Sequence, residues 1–329
     1  MELLFYLFGI GICLLILAEG ARAFVQGISI LTKQTKMHSM LIGASVLAIG
    51  TSLPELAVGI ISSYYETGEI LYATIIGSNL FNLFCILGIP AFFITLSINK
   101  MTLAKDIPLA ILSILLVGVL VNDHLIFGAE TNELSASDTS IIFVFFLFHY
   151  ILMPLKSRTE DHSKDIAISE ENIPYALSHY KWGVSFDIIS GLTMIVLGAF
   201  GGLLLSVKLS QFLGMSHTML SLLILAPGTS LPEMVTIFIA LKHNQKMLAI
   251  GNAIGSNLFN ILFVLPASNS FGSPAYPTFL NVDLLFLLTT MVMIIFGYLS
   301  GKNEKMPRLV SFSYTIVFVM YMVFVVNRG

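Results

Sequence analysis

Charge is scarce in this chain. Of its 329 residues, 11% are Asp, Glu, Lys or Arg, against roughly 25% in soluble domains. Hydrophobic residues make up 56%, and the mean hydropathy is +0.91. That balance excludes an ordinary soluble globule and predicts a multi-spanning membrane protein, since each crossing needs about 20 apolar residues. The net charge of −3 then says nothing about nucleic acid, and none is expected as a partner. Cysteine is nearly absent: Cys13 and Cys85 both sit in apolar runs. No Cys-rich metal motif exists, and a structural disulfide is not expected. No Ser-His or His-rich constellation stands ready to activate a nucleophile, so the chain does not read as an enzyme. A basic opening region is also missing. The chain opens Met1-Glu2 before a long apolar run, which reads as a retained first span rather than a signal peptide.

What is present is a series of apolar runs. Ten spans are predicted near residues 3–31, 39–65, 69–98, 103–122, 139–155, 184–213, 217–242, 246–266, 278–300 and 308–327. The expected fold is an all-α membrane protein of ten transmembrane helices. One sizeable polar segment, with both charge signs and a Pro, divides them. It reads as a solvated linker at 156–182, between five-helix halves at 1–155 and 183–329. Basic residues set the orientation. Lys33, Lys36, Lys100, Lys105, Lys156, Arg158, Lys164, Lys181, Lys242, Lys246, Lys302, Lys305 and Arg308 fall on one side of the alternating loops. The other side has only Lys208 and Arg328 near span ends. Lys- and Arg-rich loops stay in the cytosol. The linker is therefore expected in the cytosol and both termini outside.

The halves are copies. "AIGTSLPE" at 48–55 returns as "APGTSLPE" at 226–233, and "GSNLFN" at 77–82 returns at 255–260. Both pairs keep an offset of 178 residues, as do Gly20-Ala21 and Gly198-Ala199. Five spans per copy is odd, so the second copy enters the membrane from the opposite side. Inverted-topology repeats with broken helices near the midplane are typical of secondary transporters.

The octamer explains itself chemically. Pro54 and Pro232 break the helix, and freed backbone is tolerated in a membrane only when buried in protein or lining a cavity. Thr51, Ser52 and Glu55 put oxygen at the first break. Ala226, Thr229, Ser230 and Glu233 do so at the second. Ser78 and Asn82 lie one turn apart on one helix face, and Ser256 and Asn260 repeat them. The sum is an all-oxygen cage with two negative charges, which suits hard cations such as Ca²⁺. No His or Cys belongs to it, against zinc or copper.

The paired G-T-S-L-P-E and G-S-N motifs resemble those of the cation/calcium exchanger superfamily, especially prokaryotic sodium/calcium exchangers, over essentially the whole chain. The resemblance implies Na⁺/Ca²⁺ antiport by alternating access in a prokaryotic plasma membrane. The transported ions are then the only ligands expected, without cofactor or obligate protein partner. It implies Ca²⁺ ligation by Glu55, Glu233 and the carbonyls of Thr51 and Thr229. Flanking Na⁺ sites would use Ser52, Ser78, Ser230, Ser256 and the carbonyls of Ala48 and Ala226, with Asn82 and Asn260 lining the centre. The chain departs from the family pattern at Asn260, often Asp in relatives, and at Ala73-Thr74, usually Gly-Asn. Proton/Ca²⁺ exchange, exchange of Mg²⁺ or Mn²⁺, and a passive cation channel stay open as alternatives.

Other polar residues have plainer readings. Glu19 and Arg22 are expected to pair on one face of the first span. His149 reads as an interior or interfacial histidine. Asp187 and Lys208 are expected near opposite ends of the sixth span, free to snorkel.

Overall fold

The computed structural model describes residues 1–34, 50–84, 88–90, 98, 100, 102–128, 131–152, 183–242, 246–301 and 306–328. Ala48, Cys85 and the 156–182 linker lie outside them. Everything regular among the described residues is helical. In chain order the elements are α1 (Glu2–Gln34), α2 (Leu53–Tyr64), α3 (Gly68–Leu83), α4 (Ile107–Leu120), α5 (Asp123–Phe127), α6 (Ala136–Leu147) and α7 (Val184–Leu213). After these come α8 (His217–Leu220), α9 (Ala226–Thr229), α10 (Leu231–Lys242), α11 (Lys246–Phe259), α12 (Leu265–Asn269), α13 (Asn281–Leu299) and α14 (Arg308–Arg328). Four π-helical turns, Thr102–Asp106, Phe148–Leu152, Ser221–Leu225 and Asn260–Val264, join or extend them.

Five continuous helical stretches are long and apolar enough to cross a membrane: Glu2–Phe24, Thr102–Leu120, Val184–Leu213, Ala249–Asn269 and Thr278–Leu299. A sixth candidate is a bent pair, His217–Thr229 with Leu231–Phe238, turned by 46° at the break. Ala136–Tyr150 and Phe312–Arg328 are shorter apolar helices. The predicted count of ten is thus not reached by these criteria among the described residues.

Two layers differ in burial. Only 22% of the Glu2–Phe24 window is buried, against 83% for Ala249–Asn269. Helix α3 is as enclosed as the latter: all its residues except Glu69 and Phe81 are buried. A helix apolar all round belongs inside a bundle, and α3 and α11 form that inside. Helices α1 and α7 lie outside it as an antiparallel pair with small residues at the seam. A Cβ on Gly20 would come within 2.8 Å of the Gly191 carbonyl oxygen, and one on Gly198 within 2.7 Å of that of Cys13. Large apolar side chains such as Phe8, Leu15, Val196 and Leu197 are exposed on this pair, as lipid-facing residues would be.

The minor expectations divide. Arg22 pairs with Glu19 on α1. His149 is half-buried, with Nε2 3.9 Å from Asp106 Oδ1. Lys208 is exposed, as snorkelling requires. Asp187 does not snorkel. It is buried where α7 closes on Gly27 of α1, because the glycine seam draws the two helices over it.

Candidate functional site

Each octamer ends by starting a helix. Leu53 and Pro54 open α2, with Glu55 in its first turn; Leu231, Pro232 and Glu233 open α10 in the same way. Proline is tolerated in a first turn, where an amide donor has no helical acceptor to meet. The discontinuity falls one residue upstream, at Ser52 (φ −90°, ψ 6°) and Ser230 (φ −84°, ψ 9°). Both carboxylates therefore stand at helix N-termini, where the dipole favours negative charge.

The two breaks brace each other. Ser230 Oγ donates to Glu55 Oε1 at 2.9 Å, and Ser52 Oγ donates to Glu233 Oε1 at 3.2 Å. Each carboxylate thus takes a hydroxyl from the other octamer. Thr51 also stands beside Glu233, with Glu55 close by. Thr229 and Ser78 bear on Glu55. Ser78 Oγ lies 3.2 Å from Thr229 Oγ1 and 3.3 Å from the Ala226 carbonyl oxygen. That carbonyl also accepts from Thr229 Oγ1 and from the Ser230 amide, so it is engaged rather than free. Thr51, Ser52, Glu55, Ser78, Asn82, Ala226, Thr229, Ser230, Glu233, Ser256 and Asn260 are all buried.

Five buried oxygens in this set make no hydrogen bond among the described residues: Glu55 Oε2, Glu233 Oε2, Asn82 Oδ1, Asn260 Oδ1 and Ser256 Oγ. Buried polar atoms almost always have partners, and an unpaired carboxylate oxygen in a dry interior is costly. Four of the five can only accept, which is the chemistry of a cation ligand. Among the described residues no group of three or more His, Cys, Asp or Glu comes together, so two carboxylates supply the formal charge and neutral oxygens the rest.

Two residues at the centre escaped the sequence reading: Asn79 and Asn257. They are the third letter of each "GSNLFN" copy. Asn79 Nδ2 donates to the Asn257 carbonyl at 3.3 Å, and Asn257 Nδ2 to the Asn79 carbonyl at 3.0 Å. The signal was available in the repetition. Spacing along one helix face picks out Ser78 and Asn82 and passes over it.

Buried acids, broken helices and exposed apolar flanks define an all-helical integral membrane protein of the ion-transporter class. The family profile "Sodium/calcium exchanger protein" matches residues 5–155 and 186–327, and the chain belongs to that family. It is 28% identical over 309 residues to the inner membrane protein YrbG of Escherichia coli K12, covering 89% of this chain and 88% of that protein. It is 27% identical over 305 residues to the sodium/calcium exchanger MaX1 of Methanosarcina acetivorans, covering 85% and 86%. A solved structure of the sodium-calcium exchanger NCX_Mj, soaked with 10 mM Na⁺ and zero Ca²⁺, shares the fold. The TM-score is 0.63 at 24% identity, over 98% of this chain and 99% of that one.

Proposed function

We propose that this exchanger moves Na⁺ and Ca²⁺ in opposite directions by alternating access around the two octamers. The reading includes ten spans in two five-helix repeats of opposite topology, at 1–155 and 183–329, with both termini outside and the 156–182 linker in the cytosol. In it Ca²⁺ is held by Glu55, Glu233 and the carbonyls of Thr51 and Thr229. Na⁺ is held by Ser52, Ser78, Ser230, Ser256 and the carbonyls of Ala48 and Ala226, the last giving up the Ser78 and Thr229 hydroxyls to the ion. Asn82 and Asn260 line the centre.

The observation that carries the proposal is the reciprocal bracing of Glu55 by Ser230 and of Glu233 by Ser52, with the second oxygen of each carboxylate left unpartnered. Ca²⁺ neutralises two carboxylates, and so do two Na⁺; a third Na⁺ leaves a positive complex. The empty pair is costly to enclose, because two bare charges out of water are not repaid. Obligatory exchange follows from that cost. MaX1 carries the name of a sodium/calcium exchanger, in keeping with Na⁺ as the counter-ion.

The test is ⁴⁵Ca²⁺ uptake into proteoliposomes of the purified protein, with Na⁺, K⁺ and H⁺ gradients imposed separately. Uptake driven by an outward Na⁺ gradient alone is the expected result. Uptake driven by H⁺ alone would replace Na⁺ with protons, and uptake with no counter-ion would mean a channel. Stronger competition by Mg²⁺ or Mn²⁺ than by unlabelled Ca²⁺ would replace the divalent ion.

A further inference from the structure

The four buried asparagines of the repeated hexamers form a hydrogen-bonded circuit with one permitted polarity. A side-chain amide can flip and exchange its oxygen for its NH₂, but a backbone carbonyl cannot. The Asn257 carbonyl must face a donor, so Asn79 turns Nδ2 toward it at 3.3 Å. The Asn79 carbonyl likewise fixes Asn257 Nδ2 at 3.0 Å. Asn79 Oδ1 and Asn257 Oδ1 then need donors of their own. Asn260 Nδ2 meets Asn79 Oδ1 at 3.0 Å, and Asn82 Nδ2 meets Asn257 Oδ1 at 3.3 Å. What is left over is Asn82 Oδ1 and Asn260 Oδ1, both buried without a partner.

Flipping any one amide would set oxygen against oxygen where now a donor meets an acceptor. All four side chains are fully buried, so water cannot relieve that contact, and low dielectric sharpens it. A flipped Asn82 or Asn260 would also offer NH₂ to an incoming cation, which is repulsive. Asn82 sits one turn beyond Ser78 on α3, and Ser78 reaches the second octamer through Thr229. The orientation of these amides therefore bears on the same place as the carboxylates.

We propose that Asn79 and Asn257 are positioning residues, each locking the amide across the interface, Asn260 and Asn82 respectively, so that its oxygen alone is presented to the transported cation. This rests on the cation site proposed at Glu55 and Glu233. The plain alternative is that Asn79 and Asn257 only staple α3 to α11.

A double-mutant comparison separates the two. Asn79→Ala frees the Asn260 amide and should raise the Ca²⁺ KM about tenfold, the worth of roughly one polar contact. The Ca²⁺ concentration giving half the thermal stabilisation of the detergent-solubilised full chain should rise equally. In an Asn260→Asp background the contact is already gone, because a carboxylate oxygen faces Asn79 Oδ1 where the amide donated, and oxygen is presented in either orientation, so the same substitution should raise the KM no further. The mirror set, Asn257→Ala with and without Asn82→Asp, should behave alike and serves if Asn79→Ala does not fold. Equal losses in both backgrounds, or unchanged Ca²⁺ affinity in Asn79→Ala, would leave a staple and overturn the lock. If the wild type is stabilised by Na⁺, Mg²⁺ or Mn²⁺ but moves no Ca²⁺ under any gradient, the exchange proposal fails alone. The lock is then read on the stabilising ion. Stabilisation by none of these cations overturns both.

Discussion

At the scale of single residues, Glu55 and Glu233 are unlike every other acid among the described residues. Each keeps one oxygen on a hydroxyl of the opposite octamer and the other on nothing. An ionisable group enclosed in a membrane protein is functional by default, and here the enclosure is duplicated. Glu55→Gln or Glu233→Gln keeps the shape but halves the formal charge. Each should abolish Na⁺-driven ⁴⁵Ca²⁺ uptake while the protein still elutes as a folded species in size-exclusion chromatography. Near-normal uptake by either variant would remove that carboxylate from the site. Ser230→Ala deletes one hydroxyl donor and should weaken Ca²⁺ binding about tenfold, the scale for a hydrogen bond to a charged group, without abolishing transport. These residues were readable in the sequence because a Glu after Pro in an apolar run is expensive and was printed twice. Asn79 and Asn257 are marked by the same repetition, but their role was not readable, because their partners are backbone carbonyls of a helix 178 positions away. Periodicity along one helix carries no information about the polarity of a contact between two.

At the scale of elements, the legible part was where the longest apolar helices lie, and the illegible part was how helices meet. Apolar runs locate α1, α7 and α13 directly. Nothing in the runs says that α3 is enclosed while α1 is lipid-facing, since membrane and protein interior are both apolar. That distinction lies in small residues. Gly20 on α1 admits no Cβ against Gly191 and Ile195, whereas Gly11 has open space around it. Gly20→Leu should therefore force α1 from α7 and destabilise the protein, and Gly11→Leu should be near neutral by melting in detergent. Equal effects would mean that the seam is not a close contact. The C-terminal helix is fastened by charge instead. Arg328 on α14 pairs with the fully buried Asp283 of α13 and lies 5.0 Å from the Phe324 ring centre. Tyr321 Oη donates to the same Asp283 at 2.8 Å. Removing one partner of a buried pair strands the other, at about 3 kcal/mol. Arg328→Gln should lower the melting midpoint, and adding Asp283→Asn should restore most of it. A double variant as unstable as the single would assign the loss to packing of the Arg stem.

At the scale of the whole molecule, charge decides which face looks outward in a membrane. The basic residues crowd onto loops that the alternation assigns to one side. If Lys and Arg are held in the cytosol, residues 156–182 are expected inside and the turn ahead of α6 outside. Ser137, an exposed residue at the start of α6, and Ser163, in the linker, are then on opposite faces. A missed span between them would put them on the same face, so the pair tests topology as well as orientation. The two native cysteines, Cys13 and Cys85, must first be replaced by alanine to give a silent background. In intact cells a cysteine at Ser137 should react with a membrane-impermeant maleimide. One at Ser163 should react only with a permeant reagent or after lysis. Labelling of Ser163→Cys alone would invert the orientation, and labelling of both would break the five-plus-five division. If the halves are truly inverted, the charge bias and the repeat have one origin. An odd number of spans in the duplicated unit would then let each copy fold from its own side, with the basic loops holding each copy in place.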